Sequence, residues 1–304
     1  TSRGLGDVYK RQDIIYTSTD SGESWKIIMN RLEYSRFDWN IPYMKPRYNG
    51  GGNCVHWISD IKLSPFDSDT ALFNTGTGLF MITGLAIGDV LVKPFCEGIE
   101  ETVHLNVYTT PHGRNRIIDI IGDLGGFAFK DYDSECENSF ANEKGDRYIT
   151  CLNADLTLSD PEYIVATPRG NWTGKTKGGL ILSKDCGSTW ERLPMPRGLS
   201  EFIDQKLDNI EKPNVDSGWT AISADGKRIM WAVAGGRGFS NKAVCYTDDE
   251  GKTWQKSIFT DSSGNSADEH NVKIFSDYYN SDLFFAIAER ENLGLYISLS
   301  LIHI

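Results

Sequence analysis

Aspartate is the residue type that offers chemistry in this chain, and it occurs in two settings. In one it recurs. Ser18–Trp25 reads STDSGESW, Ser183–Trp190 reads SKDCGSTW and Thr247–Trp254 reads TDDEGKTW, three copies of [S/T]-x-D-x-G-x-x-W. In the other it is unrepeated: Gly122–Phe127 reads GDLGGF and follows the nearly all-apolar run RIIDII. An Asp side chain can accept from backbone amides two residues on, and Gly supplies the positive φ that closes a hairpin turn. One active site does not need three equivalent carboxylates. Asp20, Asp185 and Asp249 therefore read as turn residues, with Trp25, Trp190 and Trp254 packing between neighbouring sheets. Asp123 would emerge at a strand end, where an apolar surround raises a carboxyl pKa as a general acid requires. Gly125 and Gly126 beside it would let a bulky ligand approach the backbone. On these residues alone, a turn-stabilising Asp123 is the simpler reading. Glu100 and Glu101 are also paired, but adjacent strand residues point to opposite faces and cannot act as one dyad.

Other chemistries find no support. The five His do not cluster at metal spacing, so no metal and no cofactor are expected. The six Cys (54, 96, 136, 151, 186, 245) include no C-x-x-C, and their pairing stays open. There is no G-x-S-x-G, and the glycines of GRNRIIDIIGDLGG sit in β context without a following helix, which argues against a nucleotide site. A net charge of −11 without a basic block makes nucleic acid and anionic membrane poor partners. No apolar run approaches a membrane span. Asn171-Trp172-Thr173 is a formal glycosylation sequon.

The elements that must position these residues are strands. Five stretches share a plan of alternating strand, polar turn and apolar strand, with turns near Ser64, Pro111, Asp160, Ala224 and Asp277. Their spacings of 47, 49, 64 and 53 residues are slightly longer than the roughly 40–50 of a propeller blade. A third strand follows in GLFMIT, GGFAFKD, GGLILS, KAVCYT and GLYIS, and the recurrent Asp motif joins it to a fourth. This predicts an all-β propeller, seven-bladed and truncated at both ends. One segment departs: 199–212 carries Leu199, Ile203, Leu207 and Ile210 at helical spacing, which predicts a surface helix. The ends differ again. DVYKRQ at 7–12 and LSLIHI at 299–304 can be translations of one short DNA sequence read from opposite strands. Residues 1–12 and 299–304 are thus expected to be translated sequencing adapter, leaving 13–298 as a propeller fragment.

The triplicated motif resembles the Asp-box, or BNR, repeat of sialidase-like and sortilin-like β-propellers. The arginine triad and F/Y-R-x-P signature of a sialidase are absent. Two longer motifs, WISD-x-x-x-x-PF-x-S from Trp57 to Ser68 and GIEET through GD-x-GGF from Gly98 to Phe127, are similar to the C-terminal propeller of glycoside hydrolase family 74, the endo-xyloglucanases. The resemblance covers essentially all of 13–298. It implies an inverting hydrolase acting on the β-1,4-glucan backbone of xyloglucan or a related plant polysaccharide. It also implies a cleft between two seven-bladed propellers, each contributing one aspartate. The role of general acid maps onto Asp123, and the base would belong to an N-terminal propeller missing from this chain. The fragment alone would then be inactive or nearly so. Trp39, Trp57 and Trp172 are candidate sugar platforms in or beside loops. Packing into the blade is the equal alternative for Trp57. A secreted monomer, extracellular or periplasmic, is expected, with polysaccharide as its partner. The alternative is a non-catalytic, sortilin-like or glycan-binding propeller module.

Overall fold

A computed structural model describes residues 14–30, 37–39, 41, 57–99, 102–136, 139–171, 174–212, 215–234, 243–267, 271–288 and 294–299. Strands dominate it, and the chain divides into two compact units, Thr1–Glu101 and Thr102–Ile304. The span 13–298, expected from sequence to be one propeller fragment, contains parts of both units. The division falls inside the GIEET segment, and the cores separate accordingly. Ile15, Phe73, Phe80 and Val92 share one cluster, while the buried residues of the remaining clusters all lie from Ile118 onward.

In the first unit, Ile61–Leu63, Thr70–Thr75, Gly78–Thr83 and Leu91–Pro94 form a four-stranded antiparallel meander. Ile14–Thr17 and Lys26–Asn30 form a hairpin. Alternation decides which side chains are inside: Ala71 and Phe73 from one strand meet Phe80 and Ile82 from the next, all fully buried.

The second unit repeats the same plan. Val103–Thr109, Ile117–Gly122 and Gly125–Phe129 make its first sheet. Cys151–Leu156, Ile164–Pro168, Ile181–Ser183 and Glu191–Arg192 make its second. Trp219–Ile222, Ile229–Val233, Ala243–Thr247 and Gln255–Lys256 make its third. Lys273–Ser276, Leu283–Ala288 and Gly294–Leu299 make its fourth. A small hairpin, Phe259–Thr260 with Ser266–Ala267, stands between the last two. Every expected strand pair is present, in chain order and antiparallel.

The sheets meet along their first strands. Cys151–Leu156 packs on Trp219–Ile222, which packs on Lys273–Ser276. An inner strand leaves backbone N–H groups unpaired on its free edge. Here the neighbouring inner strand caps them with side chains. Asn153 Oδ1 accepts from the Thr220 amide at 2.8 Å, and Asp155 Oδ2 accepts from the Ile222 amide at 3.0 Å and the Ser276 hydroxyl at 2.7 Å. Radially arranged four-strand meanders joined this way are propeller blades.

The predicted helix forms over Glu201–Ile210, with Ser200 as N-cap accepting from the Ile203 amide. Its stripe of Ile203, Leu207 and Ile210 is buried against Leu180, Trp231 and Val233. The described cysteines Cys96, Cys136, Cys151, Cys186 and Cys245 are free and buried; Cys54 lies outside the described residues.

Candidate functional site at the sheet ends

The three repeated aspartates make one hydrogen-bond pattern three times. Asp185 Oδ1 accepts from the Thr189 amide at 2.8 Å and Oδ2 from the Thr189 hydroxyl at 2.6 Å, while the Ser183 hydroxyl donates to Oδ1 and accepts from the Gly187 amide. Asp249 does the same with Thr247, Gly251 and Thr253. Asp20 repeats it with Ser18, Gly22 and Ser24. In each, the two residues after Asp have positive φ (60° and 91°, 55° and 80°, 57° and 83°), as a type I′ hairpin turn requires. These donors hold the Asp20 and Asp249 carboxyls down at about 2 and pull Asp185 in the same direction against its burial.

The tryptophans of the motif differ in environment. Trp190 is buried and Trp254 is half-buried, 6.0 Å from Trp231. Trp25 is 64% exposed, so the expected packing between sheets is corrected for that copy. Its indole N–H still bonds Gly22 O at 3.1 Å, as Trp190 bonds Gly187 O.

Asp123 is placed at the other end of its sheet. The repeated aspartates of this unit join strands three and four, whereas Asp123 joins strands two and three. In an antiparallel meander those turns lie at opposite ends. Asp123 has φ 62° and an exposed side chain that makes no hydrogen bond to another described residue. The apolar surround expected for it is therefore not present in this unit. What holds the turn is backbone: the Asp123 amide donates to Thr150 Oγ1 at 2.9 Å and the Gly125 amide to Ile149 O at 3.1 Å. Thr150 O in turn accepts from the Arg169 amide at 2.7 Å, and the Arg169 guanidinium grips Asp216 through Nε at 3.0 Å and through Nη2. One end of the unit thus gathers Asp123, Thr150, Arg169, Asn171 and Asp216 from three successive sheets. Sequence reasoning missed Thr150, Arg169 and Asp216. The signal for Arg169 was its place directly after the apolar strand Ile164–Pro168, the position Asp123 holds after Ile117–Gly122.

The two glycines are corrected. A Cβ on Gly125 would stand 2.9 Å from Tyr148 O, and one on Gly126 would stand 2.7 Å from both Asp119 O and the Phe140 ring. Both residues are buried, so the space beside them is filled by the chain and not left to a ligand.

The aromatic candidates separate. Trp39 is half-buried in the first unit, stacked on Phe37 at 5.2 Å and edge-on to Phe80 at 6.3 Å, so it packs on the core and its expected platform role is corrected. Trp57 is 61% exposed with φ 61°. Trp172, Glu100 and Glu101 lie outside the described residues. Trp231 is fully buried and Trp219 half-buried, both in strands, as expected.

Successive meanders meeting along their first strands, with a distinct turn chemistry at each end, define a β-propeller. Solved structures bear this out at the level of fold. The GH74 xyloglucanase from Xanthomonas campestris superposes with TM-score 0.68 at 20% identity, covering 95% of this chain and 36% of that one. The Niastella koreensis GH74 enzyme gives 0.66 at 19% identity, covering 94% and 34%. The relatives it is similar to in sequence are also of one kind by name. A xyloglucanase of a Paenibacillus species is 24% identical over 300 residues, 90% of this chain and 25% of the relative. Xyloglucanase Xgh74A of Acetivibrio thermocellus is 24% identical over 297 residues, 90% and 31%. An oligoxyloglucan-reducing end-specific xyloglucanase of Emericella nidulans is 25% identical over 256 residues, 73% and 30%. The chain therefore spans about a quarter to a third of the curated relatives it matches. No protein-family model matches it.

Proposed function

We propose that this chain is part of a glycoside hydrolase that cleaves the β-1,4-glucan backbone of xyloglucan by inversion, with Asp123 as general acid. One observation carries the reading. In a chain similar over 90% of its length to xyloglucanases, the aspartate that does not recur is exposed at the sheet ends opposite the repeated turns, its side chain unengaged by described residues. A general acid must reach a glycosidic oxygen, and a carboxyl already holding three hydrogen bonds within its own turn, like Asp185, cannot.

An inverting pair stands roughly 6.5–9.5 Å apart so that a water fits beside the sugar. The base is assigned to a part of the protein outside this chain, and the exposed Trp57 to stacking on sugar. Secretion follows from the substrate, since plant polysaccharide is met outside the cell. No described helix is long and apolar enough to cross a membrane. The test is release of reducing ends from xyloglucan by the full-length protein and its Asp123→Asn variant. Activity in the first and a loss of at least about a hundredfold in the second supports the reading. Equal turnover refutes the role of Asp123.

A further inference from the structure

Strand Val103–Thr109 opens the second unit, and its register shifts between His104 and Asn106, so that His104 shares a face with Val107, Ile121 and Asp119 while Asn106 and Tyr108 share the other with Ile118 and Ile120. The partner strand Ile117–Gly122 buries Ile118 and Ile120 completely, and between them Asp119 is only 6% exposed. A carboxylate there costs free energy unless it is hydrogen-bonded. His104 supplies the bond: its Nδ1 lies 2.8 Å from Asp119 Oδ2 and 3.0 Å from Oδ1. Burial raises the Asp119 carboxyl and this bond opposes the rise. The other ring nitrogen is also used, with Nε2 2.7 Å from Thr102 Oγ1.

The roles follow from the donor inventory. A carboxylate accepts, so the imidazole proton sits on Nδ1. In the tautomer with that single proton on Nδ1, Nε2 accepts and the Thr102 hydroxyl donates to it. Thr102 Oγ1 is left with lone pairs only. Strand register sets where this row ends. Val103 pairs with Gly122, and the next residues of the two strands are Thr102 and Asp123. A purely structural role would not need the row: an apolar residue at 119 would sit on the face of Ile121 and Val107 and remove the buried charge.

We propose that Thr102 is a further substrate-contacting residue, whose hydroxyl oxygen, fixed by His104 and through it by Asp119, accepts a hydrogen bond from a sugar hydroxyl beside the bond cleaved at Asp123. This rests on the reading of Asp123 above. The full-length enzyme is assayed on xyloglucan. Thr102→Val is expected to lower kcat/KM about tenfold with an unchanged thermal midpoint, and Thr102→Ser to restore it to within about twofold. His104→Asn keeps a donor for Asp119 but removes the acceptor for Thr102, so it should show the same loss. Combining it with Thr102→Val should cost nothing more. If both single variants stay within about twofold of wild type while Asp123→Asn is inactive, this inference falls and the assignment of Asp123 stands. A lowered thermal midpoint with unchanged kcat/KM in His104→Asn overturns it equally, because the row is then scaffold. If Asp123→Asn itself keeps turnover, both readings fall together.

Discussion

Aspartates in this molecule are told apart by what their oxygens already hold. Asp185 accepts three hydrogen bonds from Ser183 and Thr189 and closes a turn. Asp185→Ala should cost about 1–3 kcal/mol of stability in urea unfolding and leave xyloglucan turnover unchanged; lost turnover at full stability would contradict its scaffold role. The pH signs also differ between residues. Asp20 and Asp249 are held at about 2, below their unfolded value. Their contribution is present above pH about 4 and lost as pH falls through about 2. Asp155 runs the other way. Burial lifts it to about 6 against the bonds from Ile222, Ser276 and Leu156. Its contribution is complete below pH about 4 and lost as pH rises through about 6. The urea midpoint of wild type relative to Asp155→Asn should therefore fall between pH 4 and 7, by up to about 3 kcal/mol in free energy. A constant difference would contradict this.

At the scale of the element, the meander was readable and its contents less so. Alternating strands, their turns and the helix at Glu201–Ile210 follow from periodicity, because a period of two or of 3.6 is written in the order of residues itself. The glycines of GDLGGF misled for a related reason. A glycine in sequence does not show what would meet a Cβ there, and the excluding atoms at 125 and 126, Tyr148 O, Asp119 O and the Phe140 ring, come from other strands and loops. Gly126→Ala should accordingly destabilise the protein by about 1–3 kcal/mol or more, read as a lowered urea midpoint. A neutral effect would mean that the turn yields, reopening a ligand role for that backbone. Trp39 and Trp57 failed to separate in sequence for the same reason. Both lie beside loops, and only tertiary packing on Phe37 and Phe80 marks Trp39 as core. The row Asp119–His104–Thr102 was illegible because Asp119 meets His104 across strands, and IIDII shows one polar residue without its partner.

For the whole molecule, the strand order repeats, and the division at Glu101/Thr102 does not show in it. Each meander looks like the next in sequence, while the boundary is a matter of which cores are shared. On the proposed reading function sits at this scale too, since an inverting hydrolase needs two carboxyls. The most direct test is leaving-group dependence in the full-length enzyme. A general acid matters only when the departing oxygen needs a proton. Asp123→Asn should lose at least about a hundredfold on xyloglucan yet keep most of its rate on a xyloglucan oligosaccharide bearing a dinitrophenyl aglycone. Equal loss on both substrates would contradict Asp123 as the proton donor.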